Sequence, residues 1–174
     1  ENDRELYEYA AYSFLFSLFP LFWIMLLGFA FNMLLDGVLM IIPFMLMRKF
    51  SGGFHFQSSG VCLVFSTLLL LAFLFIIRFI TARQCFVLFS FFAAVSAVQI
   101  FFCSPIDNEA RKLSEKERSV FRKTVRIMSA LFFAVYIVLV LFKQTRFSVP
   151  LGAGIILTAL LQVPCFFIGK NRPA

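Results

Sequence analysis

Apolar residues run along this chain in long blocks broken by short polar stretches. Six blocks can be drawn, at 13–34, 38–47, 60–80, 84–103, 127–142 and 150–168. A helix needs about 20 apolar residues to span a bilayer, with about 17 as a practical minimum. The third and fourth blocks meet that comfortably. The second is short, and it spans only by borrowing Leu35 at one end and part of 50–56 at the other; otherwise it is re-entrant. The pattern predicts an all-α, polytopic membrane protein of about six transmembrane helices, forming a single domain over 1–174.

Composition supports that reading. Of 174 residues, 61% are hydrophobic and 14% charged, too few polar residues to coat a soluble domain. Soluble multidomain folds drop out, and the 27 phenylalanines are assigned to lipid-facing and helix-packing roles. A net charge of +7 would raise nucleic acid as a partner in a soluble protein, but here lysine and arginine belong first to the cytoplasmic side of a membrane. With six crossings and the N-terminus inside, only Arg78, Arg83, Lys143 and Arg146 of the sixteen cations fall outside. The expectation is a multi-pass protein of the bacterial cell membrane with both termini cytoplasmic, in contact with lipids and not with nucleic acid. Were the second block not to cross, every later segment would invert. The acidic start "ENDRELYEYA" lacks the basic region of a cleavable signal peptide.

The one long polar stretch, 104–126, is read as a cytoplasmic basic loop. Pro105 should stop the fourth helix, and Ser114 to Glu117 ("SEKE") spells a capping box for the next. Arg118, Arg122 and Arg126 recur every four residues on one helical face. They suit lipid headgroups or, as a sharper alternative, docking of an acidic peptide. Asn32, Gln99 and Gln162 interrupt apolar blocks, where interhelical hydrogen bonds are the default role. Asp36 marks the outer turn between the first two blocks. Cys85, Cys103 and Cys165 lie in apolar runs and read as small buried hydrophobes. With one histidine and no CxxC pair, no zinc site, other metal or cofactor is expected.

The chemistry-bearing residues lie in the break "RKFSGGFHFQSSGVC", 48–62, which holds the lone histidine, His55, and the fourth cysteine, Cys62. On a straight helix these two share a face but stand about 10.5 Å apart along the axis, too far for a hydrogen bond. Ser51-Gly52-Gly53 and Ser58-Ser59-Gly60 are breakers, and a turn at each would fold the imidazole over the start of the third helix. If Ser59 is the N-cap, Cys62 falls in the first turn, where free N–H groups and the dipole favour an anion. Such a position, beside an imidazole, activates thiols generally and offers an oxyanion site. The plain alternative is a packing cysteine and a solvated histidine. Gln57, Ser51 and Asp107 are candidates to orient the imidazole; Ser58 and Ser59 could cap the helix or donate to an oxyanion; Arg48 and Lys49 could bind substrate carboxylates or anchor the membrane edge.

These residues resemble the signature of the AgrB family of accessory gene regulator peptidases: Arg48, Lys49, Ser51, Gly52, Gly53, His55 and Cys62 fall on it. A second segment, with Pro105, Asp107, Arg111 and Leu113, is similar to the family's Pro-Ile/Val-Asp stretch and charged helix, departing at Ala110 and Lys112. The likeness implies a membrane cysteine endopeptidase that removes the C-terminal part of an AgrD-type quorum-sensing propeptide. It implies Cys62 as nucleophile, His55 as general base and acid, and capture of an acyl-enzyme thioester by a thiol or hydroxyl of the peptide to form a thiolactone or lactone. A homodimer is compatible with it. The rival class is a small non-enzymatic transporter or exporter, for which polar residues through several helices and an internal repeat are expected and are not evident.

Overall fold

Helix boundaries in the computed structural model follow the punctuation of the sequence. It describes residues 19–52, 59–83, 85–106 and 114–165. The helices are α1 (Phe19–Ala30), α2 (Leu34–Ser51), α3 (Ser59–Arg83), α4 (Phe86–Cys103), α5 (Glu115–Leu141) and α6 (Thr145–Leu160). No sheet occurs among the described residues, so the all-α expectation holds. Four segments are long and apolar enough to cross a membrane: Gly60–Thr81, Phe86–Cys103, Glu115–Leu141 and Thr145–Cys165.

The remaining two helices do not reach that length and composition among the described residues. The described part of α1 is shorter, and α2 carries Asp36, Arg48 and Lys49. Yet α2 is far longer than the apolar block 38–47, because the helix runs through its charged ends. Its 18 residues rise about 27 Å. Asn32 is not an interhelical hydrogen-bonding residue as expected. It sits in the turn after α1 with φ 55°, a left-handed conformation that asparagine tolerates. Within the stretch 104–126, α5 begins at Glu115, where the capping box places it. Its start is the expected capping box: Ser114 Oγ accepts from the Glu117 N–H at 3.3 Å, and Glu117 Oε2 accepts from the Ser114 N–H at 3.0 Å.

The order of contacts fixes the directions of the helices. Asp36 and Arg146 attract one another at the starts of α2 and α6, while Arg48 and Cys165 interact near their ends, so the two helices run parallel. α4 and α5 are antiparallel, tied by Tyr136 OH donating to Ser90 Oγ (2.8 Å), Ser129 Oγ to the Ala97 carbonyl (3.2 Å) and Arg126 Nε to the Phe101 carbonyl (3.3 Å). Gln99 Nε2 donates to the Ala159 carbonyl at 3.0 Å, joining α4 to α6 as an interhelical bond, as the sequence led one to expect. These bonds satisfy groups that would be costly to leave bare in lipid.

α6 is the axle of the bundle. It touches α2, α3, α4 and α5, and nearly every residue from Ser148 to Ala159 is buried. Small residues make this possible: Gly152, Ala153, Gly154, Thr158 and Ala159 let neighbouring backbones close in. A Cβ on Gly154 would run into the Met40 carbonyl oxygen and stand 2.7 Å from Pro43 Cγ. Phenylalanine, valine and leucine side chains of α3, α4 and α5 face outward, where lipid is the matching solvent. Gly154→Ala should therefore cost about 1–3 kcal/mol by overpacking. In detergent micelles its thermal unfolding midpoint should fall clearly below the parent's, with no change in helical content before melting.

Candidate functional site

Three helix C-termini and two helix starts meet at one end of the bundle. α2 stops at Gly52, whose φ of 71° and ψ of −162° lie in a region open essentially to glycine alone. Gly52 forms an isolated parallel bridge with Ile106, just past α4, and the Ile106 N–H donates to the Ser51 carbonyl at 3.0 Å. A Cβ on Gly52 would collide with the Ile106 carbonyl oxygen. The same segment is held from the other side by α6: Gln162 Nε2 donates to Ser104 Oγ at 2.8 Å, with both residues buried.

α6 breaks just before Gln162. The chain turns at 161–162 and is helical again over 163–165, and Pro164 has no N–H to offer the Leu160 carbonyl. The Ala159 carbonyl there takes two donors, the Gln162 N–H (3.0 Å) and Gln99 Nε2 (3.0 Å). Cys165 follows at once, its N–H donating to the Gln162 carbonyl at 3.1 Å.

Arg48 sits among these ends. Its Nη1 donates to the Gly52 carbonyl at 2.9 Å, which fixes the guanidinium against the α2 terminus. From there it lies within electrostatic range of Cys165 and Cys62. Cys62 is half-buried in the first turn of α3, among N–H groups that have no partner within the helix. Cys62 thus stands at the positive end of a helix with Arg48 in its electrostatic neighbourhood, beside backbone N–H groups suited to an oxyanion.

Several expectations are corrected. Ser59 is already helical, so it is not the residue before α3. Ser51 Oγ donates to the Gly52 carbonyl at 3.3 Å and is wholly buried, so its hydroxyl serves the α2 terminus. Cys85 and Cys103 are exposed and Cys165 half-buried, against the burial that their apolar runs imply. Lys49 is exposed, with its ammonium 5.7 Å from the Phe50 ring centre. The arginine stripe is not uniform: Arg126 lies over the Phe101 ring at 5.4 Å, Arg118 is half-buried and Arg122 exposed. His55, Gln57, Ser58, Asp107, Arg111 and Leu113 lie outside the described residues. Among the described residues no cluster of three or more metal-ligating side chains occurs. The Gly52–Ile106 bridge and the Gln162–Ser104 bond were not anticipated; the only sequence signals were a glycine in a break and a glutamine in an apolar run.

A helical bundle with four membrane-capable segments and a polar, cysteine-bearing end defines a multi-pass membrane protein. The chain belongs to the AgrB family: the sequence profile of accessory gene regulator B matches residues 1–166. This ties it to agr quorum sensing. It is similar to AgrB-like protein 2 of Clostridium perfringens (strain 13 / Type A), 25% identical over 156 residues, covering 85% of this chain and 73% of the relative. It is also similar to an AgrB-like protein of Clostridium perfringens (strain SM101 / Type A), 24% identical over 172 residues, covering 94% of this chain and 79% of the relative. No solved structure matches.

The two glycines flanking the break should respond in opposite ways. Gly52→Ala meets both the Ile106 carbonyl and a forbidden backbone conformation, whereas a Cβ on Gly60 has open space around it. Thermal melts in micelles should show Gly52→Ala destabilised by about 1–3 kcal/mol and Gly60→Ala unchanged or slightly more stable.

Proposed function

We propose that this chain is a membrane cysteine endopeptidase that cuts the C-terminal part from an AgrD-type propeptide. Cys62 is the nucleophile and His55 the general base, then acid. The observation that carries the reading is the Cys62 sulfur in the first turn of α3, within electrostatic reach of Arg48, in a chain of the AgrB family. His55 takes the thiol proton as sulfur attacks the scissile carbonyl. The carbon–nitrogen bond breaks, and the same proton passes to the leaving amine. The N-terminal part of the peptide remains on Cys62 as a thioester.

A thiol or hydroxyl within that part then attacks the thioester. The new ring bond forms, the bond to Cys62 breaks, and the enzyme thiol is regenerated. Exchange of a thioester for a thiolactone is nearly balanced in free energy, so water is the competitor that matters. A site at the membrane edge limits water and holds the internal nucleophile close.

In the membrane, we assign six crossings, with α2 completing a span through its charged ends. The site end carries Arg48, Lys49, Lys116, Arg118, Arg122, Lys123 and Arg126 among the described residues, and the positive-inside rule assigns it to the cytoplasm.

Reconstituted in lipid with an AgrD-type peptide, the parent chain should release a C-terminal fragment and a product lighter by one water than the linear N-terminal fragment. Cys62→Ala and His55→Ala should lower cleavage by about 10³-fold or more, while eluting and melting as the parent does. Full cleavage by the Cys62→Ala protein, read by mass, would reject the mechanism.

A further inference from the structure

α3 turns one face toward the bundle, and only half of that face is covered. Cys62, Ser66, Leu69, Phe73 and Ile77 follow one another along it at spacings of three or four. In the half away from the site, Leu70, Phe73, Leu74 and Ile77 are buried. In the half nearer the site, Cys62, Leu63, Ser66 and Thr67 are half-buried, turned inward without being closed over.

Two threonine hydroxyls of this helix serve the helix itself. Thr67 Oγ1 donates to the Leu63 carbonyl at 2.9 Å, and Thr81 Oγ1 to the Ile77 carbonyl at 2.8 Å. Ser66 makes no such bond to the Cys62 carbonyl, and its hydroxyl has no other hydrogen-bond partner among the described residues. Its place relative to Cys62 follows from helix geometry. The two residues are one turn apart, about 6 Å along the axis, with Cβ atoms about 5–6 Å apart. Side-chain bonds tilt toward the helix start, so the Ser66 side chain leans over the turn that carries Cys62. Beyond the first turn, helix N–H groups are bonded to the carbonyls four residues back. The free N–H groups of the first turn point the other way, along the axis. On the membrane side of the sulfur, Ser66 is therefore the donor that this face of α3 presents.

We propose that Ser66 is a further catalytic residue, whose hydroxyl donates to the carbonyl oxygen of the acyl group being joined to Cys62. As the carbon–sulfur bond forms, an electron pair of the C=O bond moves onto oxygen, and that oxygen accepts from Ser66. On collapse the pair returns, and the leaving group departs with its proton. At a water-poor membrane edge, a donor fixed on a helix is worth more than the same donor in water. The inference rests on the peptidase reading for the nucleophile and names the group that carries the developing charge.

The test separates acyl transfer from plain substitution at the same sulfur. The protein in phosphatidylcholine nanodiscs is treated with the benzyl thioester of a short apolar peptide. Exchange joins the acyl group to Cys62 and releases benzyl thiol, and the product is followed by intact mass and mapped to Cys62. Parallel samples receive iodoacetamide, which loses iodide from a saturated carbon and puts no new charge on a carbonyl oxygen. Ser66→Ala should slow acylation about 10²-fold, as loss of one oxyanion donor does, and leave alkylation of Cys62 unchanged. Alanine is the better helix former, so melting should hold. Thr67→Val removes a hydroxyl already spent within the helix and should change neither rate. In the acyl-enzyme, the thioester C=O stretch, read by isotope-edited infrared difference, should move to higher wavenumber in Ser66→Ala.

Equal acylation by parent and Ser66→Ala overturns the proposal and leaves the first-turn N–H groups as the donors. Equal loss of acylation and alkylation also overturns it, assigning Ser66 to the sulfur or to packing, and so does a parent whose Cys62 takes no acyl group. A parent acylated at Cys62 that leaves an AgrD-type propeptide intact removes the endopeptidase reading, while the thioester rates still decide this one.

Discussion

The approach of α2 to α6 sets the geometry of everything else. Between helices in lipid there is no hydrophobic driving force, since the tails outside are as apolar as the side chains inside. What remains is close packing, and here it runs through backbone: Gly154 lies against the Met40 carbonyl and the Pro43 ring. The two helices run parallel, so their C-termini arrive together at one end. α4 runs alongside and ends there too, while α3 and α5 start there. One packing choice therefore gathers Arg48, Cys62, Ser104, Gln162 and Cys165 from four separate stretches of sequence.

At that end polar groups are used economically. The segment after α4 is stitched to α2 by the Ile106–Ser51 bond and to α6 by Gln162 and Ser104. Gly52 permits the first contact because nothing larger fits, and its carbonyl in turn anchors Arg48. A half-buried guanidinium held only by flexible contacts would wander or draw in water. Fixed at one nitrogen to a carbonyl, it has its remaining donors directed by the frame. The nucleophile proposed above sits in the first turn of its helix, so its position follows from the helix axis and needs no long side chain to be ordered.

Much of this could be read in the sequence because lipid imposes a simple code. Long apolar runs became helices α3 to α6, and the "SEKE" cap fell where its spelling placed it. The reading failed where charge and packing compete. Asp36, Arg48 and Lys49 made α2 look short, yet the helix continues through them, because its sides are buried by α6 and its ends reach polar surroundings. Asn32 looks like a bridging residue because it interrupts an apolar stretch, but it lies in the turn that separates α1 from α2. The cysteines in apolar runs read as buried because apolar sequence was equated with interior; in a bilayer it equally means surface. Of the site, the cysteine and the breaks around it were legible. The partnership of Gly52 with Ile106 and of Gln162 with Ser104 was not, since both join residues more than fifty positions apart and no local pattern encodes them.

The most direct test of the account is to trap the intermediate. Lipid-reconstituted protein is mixed with an AgrD-type propeptide lacking its internal thiol or hydroxyl nucleophile, quenched in acid within seconds, and weighed intact. The account predicts a covalent adduct equal in mass to the N-terminal part of the peptide less one water, mapped to the segment bearing Cys62 and released by hydroxylamine. Efficient cleavage with no adduct on Cys62, or an adduct on another residue, would contradict it.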